Sequence, residues 1–318
     1  MKNVYYILSL ALFLICILSC EKDITVDLPK AEKKLVVEGT IDLNEYALVI
    51  LTKNASYFDV ITTETVENSI IHGDQATVIV SNGNIYDTLQ PTAIDKWPHY
   101  AYVGNKIKGE INEVYNLKIL YDNKEYFATT LIPDTIGIDS VWFEKMNGFE
   151  GLGFLGIRWT DPSQIGNNYL VTTKNHGEQK YFFRPYFGMH IMDDILFNGQ
   201  PMTYTPIVKG FEHNDYYNDY YDPNIIDTPE EDSLYFVNAF FFKYGDTVSI
   251  KLSSVDANSY NFWSSWYRNY MTEGNPFTNP ASIKSNIEGA PANGYWIGSG
   301  SYIRTVYIVD SVNVEIIR

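Results

Sequence analysis

Histidine, serine and carboxylate side chains are the groups in this chain that could perform acid–base or nucleophilic chemistry. The five histidines are scattered, at His72, His99, His176, His190 and His213. The spacings H-E-x-x-H, G-x-S-x-G and the Walker phosphate loop do not occur, and the serines of GSGS (298–301) lack the elbow spacing. A fold could still assemble a triad or a carboxylate pair from distant residues. The sequence itself predicts no catalytic residue, no metal site, no cofactor and no enzyme activity.

Residues 211–233, FEHNDYYNDYYDPNIIDTPEEDS, combine acidic and aromatic side chains without any lysine or arginine. Tyrosine rings can stack on a sugar or a protein partner, and carboxylates accept hydrogen bonds. The candidate ligand-binding residues are Tyr216, Tyr217, Tyr220 and Tyr221. The acidic spacing does not match the calcium loop D-x-[DN]-x-[DN]-G. Three interpretations stay open: a solvated insertion between strands, a loop that binds a glycan or peptide, and a calcium site.

GLGFLG (151–156) fits the spacing G-x-G-x-x-G of dinucleotide-binding loops. That motif needs a helix that opens at the last glycine, so that backbone amides and the helix dipole face a pyrophosphate. Here the alternating run IRWTDP follows and closes with a proline. The pattern therefore predicts a glycine-rich hairpin or strand start and no nucleotide site.

Cys20 is the residue with the clearest predicted chemistry. Residues 1–19 have Lys2 near the start and an apolar run of signal-peptide length, shorter than the ~20 residues that span a bilayer. The run ends in Ile17-Leu18-Ser19-Cys20, which resembles a bacterial lipobox, whose cysteine is lipidated after cleavage. An ordinary signal peptide cut nearby is the alternative. The only other cysteine, Cys16, lies in the part to be removed, so no disulfide is expected.

Residues 20–33 are predicted to form a lipidated tether to the outer membrane. Glu21-Lys22-Asp23 resembles the short tag that directs lipoproteins of Bacteroidota to the cell surface, and a plain polar tether is the alternative. The whole chain has a net charge of −16, so the part after residue 19 has −17, because Lys2 is lost (−16 − 1 = −17). This charge excludes a nucleic-acid partner, which needs clustered lysine and arginine. It also disfavours adsorption to anionic lipid.

Short β-branched runs with turn signals between them indicate an all-β chain with antiparallel sandwich-like domains. A first series covers 34–41, 47–54, 75–82, 114–122 and 124–131, and a second covers 155–161, 168–175, 180–187, 233–242, 246–255 and 302–317. IPDTIGIDS (132–140) lies between the two series and is predicted to be a linker. We therefore predict an immunoglobulin-like domain at 34–134 and a second β domain at 135–318, with 211–233 inserted in it.

One segment predicts a helix at about 257–272. Tyr260, Trp263, Tyr267 and the pair Tyr270/Met271 recur at helical spacing, with Asp256 or Ser259 able to cap the start. Such an aromatic stripe is typical of a helix face that packs on a sheet. A platform for a ligand is the alternative.

Several blocks of the chain resemble, in order, a lipoprotein family catalogued as domain of unknown function 4249. They are KLVVEGTID, VILTKNASYFD, YNLKILYDNKEYFATTLIPD, IRWTDPSQIGNNYLV, DDILFNGQPMTY and GNPFTNPASIKSNIEGAPANGYWIGSGS. One departure is Ala290-Pro291, where the family has a glycine pair after SNIEG. The resemblance implies an N-terminal lipobox, an all-β body and genes that often lie beside TonB-dependent transporters. It carries over one site residue, Cys20.

These observations rank three functions. The first is a non-enzymatic, surface-exposed lipoprotein that binds a ligand or assists a TonB-dependent nutrient transporter. The second is a structural or adhesive surface lipoprotein, and the third is a surface hydrolase.

Overall fold

The computed structural model describes residues 33–54, 62–95, 98–185, 188–210, 239–272, 282–310 and 314–317. The strands in this part are β1 (Leu35–Asp42), β2 (Tyr46–Lys53), β3 (Ala76–Ser81), β4 (Tyr86–Thr88), β5 (Gln90–Ala93), β6 (Tyr100–Lys108), β7 (Val114–Tyr121), β8 (Lys124–Leu131), β9 (Ser140–Lys145), β10 (Leu152–Thr160), β11 (Asn168–His176), β12 (Ile191–Asp193), β13 (Pro201–Ile207), β14 (Phe242–Lys243), β15 (Thr247–Val255), β16 (Glu288–Gly289), β17 (Ala292–Ile308) and β18 (Val314–Ile316). The helices are α1 (Thr63–Glu67) and α2 (Ala257–Thr272). The predicted all-β class and the predicted helix at 257–272 are confirmed, and the short α1 was not predicted.

Hydrogen bonds join these strands into three sheets. The central sheet has nine strands in the order β12-β11-β15-β17-β1-β2-β6-β5, and β18 pairs with β17 beside this path. A five-stranded sheet has the order β16-β8-β7-β3-β4, and in a four-stranded sheet β10 pairs with β9, β13 and β14. Among the described strand pairs, β1 with β17 is the parallel one, with Gly39 opposite Trp296. This pair joins strands from the two ends of the chain.

Both hydrophobic cores lie on one face of the central sheet. Trp296 belongs to the core under the five-stranded sheet, and Val306 belongs to the core under the four-stranded sheet. An even number of residues separates them along β17, so their side chains point to the same face. The opposite face carries Tyr295 and Ile297, which pack against side chains of α2. The molecule therefore has two side-by-side sandwiches on one face and a helix on the other.

The segment predicted to be a linker is an extended connection between β8, which ends at Leu131, and β9, which begins at Ser140. Ile132 belongs to the first core and Ile138 to the second. The central sheet nevertheless takes β1, β2, β5 and β6 from before this connection and the remaining strands from after it. The division into domains at 34–134 and 135–318 stays a prediction.

The glycines of GLGFLG allow two strands to approach closely. The segment lies at the start of β10, and Gly153 and Gly156 face Glu144 and Trp142 of β9 so closely that a Cβ atom on either would overlap them. The prediction of a glycine-rich strand start is confirmed, and a strand follows the last glycine.

Asp256 fixes the start of α2 on the central sheet. Its Oδ1 accepts a hydrogen bond from the backbone N–H of Ser259 at 2.8 Å, which caps the helix as predicted. Its Oδ2 accepts from Thr130 Oγ1 at 2.8 Å and from the Leu131 N–H at 3.1 Å. One carboxylate thus holds the helix start to strand β8, and this sets where the aromatic side chains of α2 lie.

Candidate functional site

The lipidation site and the candidate ligand-binding tyrosines predicted from the sequence lie outside the described part of the chain. This holds for Cys20, for the signal peptide and tether, and for the insertion 211–233 with its tyrosines Tyr216, Tyr217, Tyr220 and Tyr221. Their roles stay predictions. The structure does describe the residues on either side of the insertion.

The two described ends of the insertion lie side by side. The backbone N–H of Lys209 donates to the carbonyl of Phe240 at 2.9 Å. Gln179 Nε2 donates to the carbonyl of Gly210. A Cβ atom at Gly210 would overlap the carbonyl of Arg184 and approach Phe183. The last described residue before the insertion, Gly210, therefore lies against the backbone of Arg184.

A buried ion pair anchors this point. The Lys209 ammonium, with a side chain 5% exposed, lies 2.9 Å from Glu178 Oε2 and 3.9 Å from Asp246 Oδ2. Burial opposes ionisation of Glu178, yet the charge of Lys209 and its hydrogen bond hold the pKa of Glu178 below its usual range. For Asp246 burial dominates and raises the pKa. Lys209 therefore stabilises mainly the carboxylate of Glu178.

Arg184 is the centre of an aromatic group that we call the Arg184 cluster, defined as Arg184, His190, Tyr204, Trp263, Trp266, Tyr267 and Tyr295. The guanidinium carbon lies 4.3 Å from the ring centroid of Trp263 and 4.0 Å from that of Trp266. These are cation–π distances. Burial lowers the pKa of Arg184 to about 10, so the group stays charged at neutral pH.

His190 packs under the same rings and is 2% exposed. Its ring centroid is 5.9 Å from Trp263, 6.1 Å from Trp266 and 5.7 Å from Tyr267, in edge-on contacts. Burial, and then the charge of Arg184, lower the pKa of His190 to about 3. The imidazole is therefore neutral at physiological pH.

Tyr295 and Tyr204 complete the cluster from two strands. The Tyr295 hydroxyl donates to Glu38 Oε2 at 3.4 Å, and burial followed by Glu38 raises the pKa of Tyr295. Burial and the nearby Tyr267 raise the pKa of Tyr204. A Cβ atom on Gly188 would lie 3.7 Å from the Tyr204 hydroxyl, which places Tyr204 beside the loop that leads to His190.

Four buried polar atoms of the Arg184 cluster have no hydrogen-bond partner. They are Arg184 Nη1, His190 Nε2, Tyr204 OH and Trp263 Nε1, four of the thirteen such atoms found in the described part of the chain. A buried donor without a partner costs about 1–3 kcal/mol. Among the described residues, this group of unpartnered polar atoms among aromatic rings is the candidate binding site.

The sequence pattern predicts only the helical part of this site. The predicted stripe supplies Trp263 and Tyr267 to the cluster, while Tyr270 and Met271 are 39% and 62% exposed. Phe262, outside the stripe, is the most buried aromatic residue of α2. Arg184, His190 and Tyr204 come from other elements, and no local pattern connects them to α2.

The described histidines do not form a triad. His176 Nε2 lies 2.7 Å from Ser249 Oγ, which in turn lies 2.7 Å from Thr305 Oγ1. Burial, followed by Lys174, lowers the pKa of His176. His72 packs on Tyr100.

In the described residues, no three side chains of histidine, cysteine, aspartate or glutamate come close enough to hold a metal ion. None of the helices described there has the length and apolarity to cross a membrane.

The fold and the cluster define an all-β chain with an aromatic, helix-covered face on its central sheet. The chain belongs to the family described as Domain of unknown function (DUF4249), whose model matches residues 21–301. The resemblance seen in the sequence is thereby confirmed. None of the curated proteins compared with the chain matches it.

Proposed function

We propose that this protein is a non-enzymatic lipoprotein of the outer membrane, anchored through Cys20 and exposed at the cell surface. There it binds a ligand or docks onto a TonB-dependent nutrient transporter. The lipobox-like Ile17–Cys20 supports the anchor. The genes that often accompany the family, as the resemblance implies, support the transporter.

One observation carries the recognition role, namely that Gly210, the last described residue before the insertion, packs against the backbone carbonyl of Arg184. The side chain of Arg184 belongs to a group of aromatic rings and unpartnered donors. Aromatic side chains with a few polar groups among them are typical of binding sites. We infer that this group and the tyrosines of the insertion act together in recognition.

Co-purification tests this function directly. Protein with an affinity tag at its C-terminus is solubilised from native outer membranes and recovered together with its partners. We expect an outer-membrane transporter in the eluate, and an unrelated lipoprotein with the same tag serves as the control. Recovery of adhesion proteins in its place would support the structural alternative and contradict the proposal.

A hydrolase is the second candidate, because His176 and Ser249 lie within hydrogen-bond distance. A serine nucleophile needs a base that is itself oriented by a third group, together with donors for an oxyanion. Among the described contacts of His176, none is with a carboxylate. Ser249 lies in the middle of strand β15 and is 3% exposed, away from any strand-to-helix turn. The pair is better explained as a polar contact within the central sheet.

We expect that a fluorophosphonate probe, which labels activated serines, does not label the protein. Ser249→Ala removes a hydroxyl that bonds only to neighbours in the sheet, so ligand or partner recovery should change by less than about 2-fold. Labelling is followed by mass spectrometry of the purified protein, with an active serine esterase as the positive control. Labelling of Ser249 that is lost in His176→Gln would establish the hydrolase in place of the binding function.

A further inference from the structure

The Arg184 cluster contains buried hydrogen-bonding capacity that the described part of the protein does not use. Arg184 Nη1 and Trp263 Nε1 are donors only, and His190 Nε2 and the Tyr204 hydroxyl can donate. No carboxylate of the described residues lies within ion-pair distance of Arg184, and the nearby Glu38 accepts from Tyr295. Among the residues that the structure describes, these donors therefore lack an acceptor, and specifically one with negative charge.

A carboxylate is the group that fits this demand. It offers two oxygens with about four acceptor positions and matches the planar fork of a guanidinium. Charge-assisted hydrogen bonds of this kind are roughly twice as strong as neutral ones. The indole rings of Trp263 and Trp266 hold the guanidinium in place before a ligand arrives, because both lie within 4.3 Å of its carbon.

We propose that the Arg184 cluster binds the carboxylate of an acidic saccharide, with a uronate sugar ring stacked on the aromatic side chains. This proposal rests on the ligand-binding function proposed above and names the chemistry of the ligand. The ring Tyr270 is 39% exposed and stacks on Trp266 with 5.4 Å between centroids. Tyr270 thus lies next to the cluster and is partly exposed, so that a sugar ring can lie against it.

A saccharide fits this face better than an extended peptide does. Peptides commonly bind by adding a strand to a free sheet edge. Trp263 and Tyr295 pack together on a face of the central sheet, where no strand can be added. The cluster instead offers flat rings with buried hydrogen-bond donors among them.

The charge of the whole chain does not oppose this binding at short range. The net charge of −16 repels anions at a distance. At 0.15 M ionic strength such repulsion is screened within about 8 Å. Arg184 acts at contact distance among apolar rings, where an ion pair is much stronger than in water.

The test measures binding of two carboxylate probes, the trimer of galacturonate and a glucuronate-containing tetrasaccharide, to the full mature chain. Calorimetry gives the affinity, and tryptophan fluorescence reports on Trp263 and Trp266. We expect at least one probe to bind, and its carboxyl-reduced form to bind at least ~10-fold more weakly. Arg184→Gln should weaken binding by a similar factor. Arg158→Gln, at an exposed arginine of β10, should change binding by less than about 2-fold and is the matched control.

A second variant separates binding from folding. Tyr204→Phe removes one unpartnered buried hydroxyl, so the protein without ligand should be as stable as wild type or more so. The same variant should bind the probe at least ~3-fold more weakly. If the cluster had only a structural role, Tyr204→Phe would not weaken probe binding while leaving the stability of the free protein unchanged or higher.

Equal binding of a probe and its carboxyl-reduced form, or binding of neither probe, would overturn the proposal. So would unchanged affinity in Arg184→Gln or, where that variant does not fold, in Tyr204→Phe. Recovery of a transporter from membranes does not depend on these results, so the ligand chemistry can fail while the proposed function stands.

Discussion

Cys20→Ser is expected to move the protein from the outer-membrane fraction to the soluble fraction or to leave it unprocessed. A serine cannot carry the thioether-linked lipid, and the predicted anchor then disappears. Each buried CH₂ of an acyl chain contributes about 0.8 kcal/mol, so an anchor with two or more chains hardly dissociates. The measurement is the share of the protein that sediments with outer membranes, followed by immunoblotting.

Cys16→Ser is the matched control for this experiment. Cys16 lies four residues before Cys20, in the segment predicted to be removed, so its loss should leave the membrane fraction unchanged. If Cys20→Ser fractionates as wild type does, or if both variants behave alike, Cys20 is not the anchor and the proposed localisation is wrong.

Gly294→Ala is expected to destabilise the fold by at least ~3 kcal/mol. Gly294 has a φ of +118° and lies opposite Val37 in the parallel pair of β1 with β17. A Cβ atom there would overlap the backbone carbonyl of Val37, so the two strands must move apart. Strain at such a φ costs about 1–3 kcal/mol before the overlap is counted. The free energy of unfolding from urea denaturation of the mature chain is the measurement.

Gly137→Ala gives the comparison, because a Cβ atom at Gly137 would meet no atom within 4 Å. We expect a change within about 0.5 kcal/mol for this substitution. A Gly294→Ala variant as stable as Gly137→Ala would mean that the β1–β17 pair does not join the two ends of the chain as described.

The local elements of the fold could be predicted where alternation and turn chemistry agree. Asp122-Asn123 is a residue pair typical of a hairpin turn, and both residues have positive φ, as the tight turn between β7 and β8 requires. The predicted strand at 180–187 is wrong for its described part, residues 180–185, where Phe183 forms only an isolated bridge. Aromatic residues are enriched in strands, but here Phe182 lies 5.1 Å from the ammonium of Lys251 in β15, measured to the ring centroid.

The glycines of β17 show why the topology could not be predicted. GSGS (298–301) has the composition of a loop, yet it lies inside a strand of 17 residues. Gly298 faces Ile132, and a Cβ atom on Gly300 would overlap the carbonyl of Pro133. These glycines allow the connection between the two cores to cross the sheet. Close approach of distant segments leaves no periodic signal in a sequence.

The candidate site was only partly predictable for the same reason. The helical stripe with Trp263 and Tyr267 has a period that can be recognised. Arg184 and His190 belong to an irregular segment, and their function depends on rings that lie about 80 residues further along the chain. A single arginine or histidine has no pattern, so only the fold reveals that they meet.

We propose that the protein recognises a transporter or its ligand through the tyrosines of the insertion together with the Arg184 cluster. Quantitative co-purification from native outer membranes tests it most directly, with wild type and two variants compared at equal bait. One variant changes to alanine the residues Tyr216, Tyr217, Tyr220 and Tyr221. The other changes to asparagine the residues Asp215, Asp219 and Asp222.

Stacked aromatic rings dominate such contacts, whereas exposed carboxylates are screened. The amount of transporter recovered with the tyrosine variant should therefore fall at least ~10-fold, which corresponds to about 1.4 kcal/mol. The amount recovered with the aspartate variant should fall much less. Equal recovery by wild type and the tyrosine variant, or no transporter with any of them, would contradict the account.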